Sequence, residues 1–188
     1  MAFLGLRNRA VRLALVALGA VAVHAHAEEP VTDEYHVKAA FLYNFAKFVE
    51  WPSGPLGSSG PIAICVLGQN PFGRVLEDTV SGKTVDGKTF SVRRVSDGKT
   101  AALCQILFVS SFERMRLGAI LGDLRTGHVL TVGETDGFIE EGGIVNLKLD
   151  GGKIQIQINI NAADEAGVRI SSKLLSLAQI IRKPVPAK

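Results

Sequence analysis

The chain has 188 residues, with 21 Lys and Arg against 18 Asp and Glu. The basic excess sits in one place: removing the first 27 residues, which carry Arg7, Arg9 and Arg12, leaves 161 residues with 18 charges of each sign. A charge-balanced chain of that size can bury the core of one domain, and it lacks the basic stripe needed to hold nucleic acid.

In chain order, the first segment reads as an address. The three arginines precede an uninterrupted apolar run from Leu13 to Val23, and Ala25-His26-Ala27 supplies a small-x-small cleavage site. The run is shorter than the roughly 17 to 25 residues a membrane-spanning helix needs. The expectation is a signal peptide over 1–27 and an exported, periplasmic mature chain, beginning at Glu28 and forming one domain over 28–188.

The next block, "VKAAFLYNFAKFVEWP" (37–52), holds five aromatics. A helix is expected over 33–50, because a helical wheel gathers Val37, Phe41, Leu42, Phe45, Phe48 and Val49 into one wide apolar arc. A membrane-surface helix would line its polar side with Lys and Arg, and here only Lys47 lies there. Two polar residues fall inside the arc. Lys38 lies between Phe45 and Val49, and Asn44 between Val37 and Trp51; both are candidate buried polar groups in need of partners. The plain reading is a lysine that carries its ammonium out to water and an asparagine bonded to a neighbouring loop; the alternative is contact with a ligand or partner.

"PSGPLGSSGP" (52–61) is a connector. Beyond it the pattern alternates: strand 62–67, helix 72–80, strand 88–95 with "VDGK" as the turn between them, strand 104–110, helix 113–125 and strand 128–133. Such βαβ alternation implies a largely parallel sheet covered by helices. "GQNPFGRV" (68–75) has the glycine spacing of a phosphate loop, but Arg74 and Val75 stand where that chemistry needs Lys and Ser or Thr. It reads as a turn in which Pro71 starts the helix.

In "IVNLKLDGGKIQIQINI" the apolar alternation is strict. A turn at Gly151-Gly152 pairs Leu149 with Ile154, Leu147 with Ile156 and Val145 with Ile158, which keeps the apolar sets on one face. The other face pairs Lys148 with Gln155, Asn146 with Gln157 and Asp150 with Lys153. Its uncharged members, Asn146, Gln155, Gln157 and Asn159, are the candidate partner-binding residues, because such a face is desolvated at less cost than a charged one. Asn161 is then expected to cap a short turn ended by Gly167. Ser171 is expected to start a final helix burying Leu174, Leu175, Leu177, Ala178 and Ile181, stopped before Pro184. The fold class is α/β: a largely parallel or mixed sheet flanked by helices, ending in an antiparallel β-hairpin and a C-terminal helix.

Chemistry is sparse along the chain. His36 and His128 lie far apart with no ligand spacing around either, and neither a zinc-peptidase nor a serine-hydrolase motif is present. Glu140-Glu141 are adjacent acids on a loop, with nothing apolar to raise their pKa. No catalytic residue, metal site or cofactor is expected. Cys65 and Cys104 each sit in a strand-like apolar run. They can be two buried thiols or a disulfide, and export favours the disulfide. Two cysteines without further ligands make a poor zinc site.

Taken in order, "VKAAFLYNFAKFVEWP", "ICVLGQNPFG", "CQILFVS", "VLTVGETDGFIEEGGIVNL", "ININ" and "ISSKLLSLA" resemble the YfiR-like family of periplasmic proteins over nearly the whole mature chain. The resemblance implies a dimeric periplasmic α/β regulator that represses a membrane-bound diguanylate cyclase through the cyclase's periplasmic sensor domain, and so limits cyclic di-GMP and biofilm formation. It also implies a disulfide between Cys65 and Cys104. Some members carry a second cysteine pair near 139–146, where this chain has Ile139 and Asn146, so redox control by that pair is not implied here. A second function class stands beside the regulator: a periplasmic small-ligand carrier or sensor, using the polar face or the 68–75 loop.

Overall fold

The computed structural model describes residues 32–52 and 60–183. The expected signal peptide, most of the Pro/Gly/Ser connector and Pro184 lie outside the described residues. Helix α1 spans Asp33–Phe48, with Asp33 and Glu34 in its first turn and Lys47 in its last, matching the helix dipole. It leads into a two-residue strand, β1 (Val49–Glu50). Strand β2 (Ile62–Leu67) is buried throughout. Helix α2 covers Val75–Val80 and starts later than expected. Asn70 ties the preceding residues into a turn: its Oδ1 accepts from Phe72 N, and its Nδ2 donates to Gly73 O, both at 3.0 Å.

Strand β3 (Phe90–Val95) is followed by a single turn of helix, α3 (Gly98–Ala101), capped by Asp97. Strand β4 (Ile106–Val109) begins two residues after Cys104. The helix expected at 113–125 divides into a 3-10 segment, Ser111–Arg116, and α4 (Leu117–Leu124). Strands β5 (Leu130–Gly133), β6 (Val145–Asp150) and β7 (Lys153–Asn159) come next, then α5 (Ile160–Glu165). A short strand β8 (Arg169–Ile170), helix α6 (Ser172–Leu175) and strand β9 (Gln179–Ile181) complete the described chain.

Seven strands form one mixed sheet in the order β3-β2-β4-β5-β6-β7-β9. It is parallel from β3 to β6, turns antiparallel at the β6–β7 hairpin, and is parallel again between β7 and β9. β1 and β8 form a separate antiparallel pair. The hairpin has the register its alternation demands, from Val145 opposite Ile158 to Asp150 opposite Lys153.

Each face of the sheet has its own core. One packs Leu42 and Phe45 of α1, Leu76 of α2 and Leu174 of α6 against Ile64, Phe108, Val132, Leu147 and Ile158. The other packs Leu117, Ile120, Leu121 and Leu124 against Leu67, Leu107 and Val109, and holds Cys65 and Cys104. These two cysteines form a disulfide with their Cα atoms 6.0 Å apart. The aromatic block of α1 is mainly a packing device. Tyr35 meets Phe72 edge-on at 5.5 Å, Phe72 meets Phe108 at 4.8 Å, and Tyr43 meets Phe90 at 5.5 Å.

Several local expectations are corrected. Val37 is exposed, because the buried stripe of α1 runs through Lys38, Ala39, Leu42, Phe45 and Ala46. Leu149 is half exposed, since the hairpin tip projects past the core. Asn159, not Asn161, caps α5, accepting from Ala162 N at 3.4 Å. Ser171 does cap the last helix, but that helix is a single turn. Gln179, Ile180 and Ile181 leave it to pair with Gln157, Ile158 and Asn159, which occupies an edge of β7 that would otherwise be open. Leu177, expected in the core, is therefore largely exposed.

The segment between β5 and β6 is organised by Phe138, which is fully buried. A Cβ at Gly133 would come within 2.2 Å of its ring, and one at Gly143 within 2.1 Å. The ring lies flat on two bare Cα positions, a fit any side chain larger than hydrogen would break.

Candidate functional site

The hairpin face expected to meet a partner comes together, but not as one uniform surface. Asn146 is buried beneath the 134–144 segment, and its Nδ2 donates to Thr135 O at 3.2 Å and to Gln157 Oε1 at 3.3 Å. Gln157 Nε2 donates in turn to Gln179 Oε1 at 3.1 Å. Three amides, one from each of β6, β7 and β9, thus form a ladder across the sheet, buried at Asn146 and open at Gln179. Gln155 is exposed near the tip and donates to Asp150 Oδ2 at 2.6 Å. Asn159 is fully buried and spent on the α5 cap. The accessible part of the face is therefore Gln155, Gln157 and Gln179, with exposed Leu177 on the loop that enters β9.

A second constellation forms around Lys38. The ammonium is not carried out to solvent: the side chain is 2% exposed, and it ion-pairs with Glu34 one turn earlier and with Glu134 at 2.6 Å, whose side chain is 5% exposed. Glu134 Oε1 also accepts from Ser111 N at 3.2 Å. One carboxylate at the carboxyl end of β5 thereby ties α1 to the start of the 3-10 segment. Burial, then the charges of Glu134 and Glu34 and a hydrogen bond to Glu134, push the Tyr35 phenol well above its ordinary pKa. Tyr35 is thus held neutral and in place. Sequence reasoning singled out Lys38 but missed Glu134, which lies 96 positions away. An acid at the end of a buried parallel strand was the available signal. Asn44 is partly buried and accepts from Lys47 Nζ at 3.2 Å.

In an open α/β sheet the usual ligand crevice lies where the strand order reverses, here outside the carboxyl ends of β2 and β4. The Glu113 side chain lies at this end of β2. Glu113 lies so close to Gly68 that a Cβ there would meet its Cγ at 2.8 Å. Glu140, one of the two acids considered for acid–base chemistry, is exposed, and a hydrogen bond from Lys183 holds its carboxyl below the usual range. His128 Nδ1 lies 2.8 Å from Ala166 O, a structural contact. Among the described residues no three His, Cys, Asp or Glu side chains gather as metal ligands, and no helix is long and apolar enough to cross a membrane.

A model of the YfiR/HmsC-like family matches residues 35–179. No curated protein matches the chain. Among solved structures, the chain is similar to a conserved domain protein from Vibrio cholerae O1 biovar eltor, at 11% identity and a TM-score of 0.55, over 78% of this chain and 59% of that one. It also matches an ABC domain in complex with L-Trp from Streptococcus pneumonia, at 14% identity and a TM-score of 0.46, over 63% of this chain and 55% of that one. This chain therefore spans less than two thirds of either structure. The first likeness is one of fold alone, and the second is too loose to argue from.

Proposed function

The chain belongs to the YfiR/HmsC-like family of periplasmic regulators in cyclic di-GMP signalling, and from that premise we propose that it represses a membrane-bound diguanylate cyclase by binding the cyclase's periplasmic sensor domain. The observation that carries the reading is the family match itself, which runs from α1 to the start of β9. The family is regulatory and non-catalytic, and the buried Cys65–Cys104 disulfide fits an oxidising compartment. A regulator of this kind acts by occupying a surface. The accessible amides Gln155, Gln157 and Gln179 are uncharged groups on this face, with Lys148 and Asp150 beside Gln155 at the hairpin tip, and are desolvated at less cost than charged side chains. The regulator is proposed to act as a homodimer delivered to the periplasm by the 1–27 leader.

The test is a photocrosslinking residue placed at Gln157, in a strain expressing the protein at its natural level. Mass spectrometry of the membrane adducts should identify an inner-membrane protein with a diguanylate cyclase domain. Crosslinks from Gln157 that reach only soluble periplasmic proteins would reject the reading.

A further inference from the structure

The seven-stranded sheet has two edges, and they differ. β9 is three residues long. β3, at the edge farthest from the hairpin, runs for six residues and pairs with β2 alone. Ile62 N donates to Thr89 O at 2.8 Å, so the ladder turns the amides of Thr89, Ser91 and Arg93 towards β2. Alternate residues of a strand turn opposite ways, which leaves the N–H and C=O groups of Phe90, Val92 and Arg94 directed outward. Among the described residues no backbone hydrogen bond reaches them.

A groove lies on each side of this edge. On the disulfide face, Arg93, Arg94, Thr100 and exposed Leu103 line one of about 400 Å³. On the opposite face Val80, Lys83, Phe90 and Val92 line one of about 330 Å³, with Glu77 as its one acid. A strand laid along β3 would send successive side chains into the two grooves in turn, so main-chain hydrogen bonds and side-chain selection would act together. Arg93 and Arg94 are exposed, both line the first groove, and make no ion pair among the described residues.

We propose that the free edge of β3 accepts an extended, acidic segment of a partner protein as an added strand. Charge selects the occupant. A second copy paired edge to edge would bring four arginines into one short ladder, and like charges across a ladder destabilise it. A segment with two consecutive carboxylates instead meets both arginines, with Lys83 the one cation of the second groove. Charged residues on an edge strand also discourage aggregation, but that role does not require a side-chain groove on both faces. The surface is separate from the hairpin amides, and it does not depend on the partner being a cyclase.

The test uses the oxidised protein and a capped, fluorescein-labelled peptide, Thr-Val-Glu-Glu-Val-Thr, with Lys replacing Glu in a control. The acidic peptide should bind saturably and more weakly as salt rises, and should slow hydrogen exchange at the amides of Phe90, Val92 and Arg94. Arg93→Glu combined with Arg94→Glu should weaken it at least about tenfold and reverse the preference between the two peptides. Val92→Pro removes one outward N–H where an edge strand tolerates proline, and should weaken binding about fivefold. Melting curves identify any variant that fails to fold, and the charge-reversed pair lies on exposed positions. Three results would overturn the proposal: absence of saturable binding, equal binding of both peptides, or concentration-dependent protection of the Phe90, Val92 and Arg94 amides in the wild type without peptide, which would mean that a second copy takes the edge.

Discussion

Lys38→Ala is expected to cost about 3 to 5 kcal/mol of stability, because it leaves Glu134 as a buried carboxylate without its cation. The two side chains are 2% and 5% exposed and lie 2.6 Å apart, so the pair is held away from bulk water. An exposed pair of the same composition would be worth at most about 1 kcal/mol. In a domain of this size the loss should lower the melting point by roughly 10 °C. Glu134 also accepts from Ser111 N, so its loss of position should loosen the 3-10 segment as well as α1. Combining Lys38→Met with Glu134→Gln should recover most of the stability, since the glutamine keeps an acceptor for Ser111, no buried charge remains unpaired, and Glu34, the other carboxylate freed, is partly open to water. Denaturant unfolding of the three proteins decides the matter. A single-variant loss below about 1 kcal/mol would mean that the pair behaves as a surface contact.

Cys65→Ser should cost nearly as much by a different route. The bond closes a loop with a sequence separation of 39. On the chain-entropy account, a loop of that length constrains the unfolded chain by about 4 kcal/mol. The melting point of the oxidised protein should fall by roughly 10 °C in the variant, and reductant should bring the wild type to the variant's value. Both sulfurs lie inside the core against α4, so the serine hydroxyl would also enter apolar surroundings. Reduced wild type that melts with the oxidised protein would contradict this.

What could be read from the sequence followed the physics of each signal. The hairpin was legible to the residue because two period-2 alternations flank a Gly-Gly turn, and a slip of one residue would expose every isoleucine. The buried strands were legible from apolar runs, and Ser171 from its capping chemistry. The last helix was overextended because Leu174, Leu175, Leu177 and Ala178 satisfy a helical period. The unpaired edge of β7, a tertiary fact, claims the residues after them for a strand. The burial of Asn146 was hidden for a similar reason. Alternation assigns it to the polar face, but the Phe138 segment folds over that part of the sheet. Lys38 and Glu134 each carried a local signal, a lysine inside an apolar arc and an acid at the end of a buried strand, but nothing in either neighbourhood pointed to the other, 96 positions away.

The most direct measurement of the central claim is cellular cyclic di-GMP in three strains: wild type, a deletion of this gene, and the deletion complemented with a Gln157→Glu variant whose melting point matches wild type. Repression through the hairpin face predicts that the nucleotide and biofilm rise in the deletion and stay raised with the variant, while wild-type complementation lowers them again. Unchanged cyclic di-GMP in the deletion, with the membrane-bound diguanylate cyclases expressed, would contradict the account.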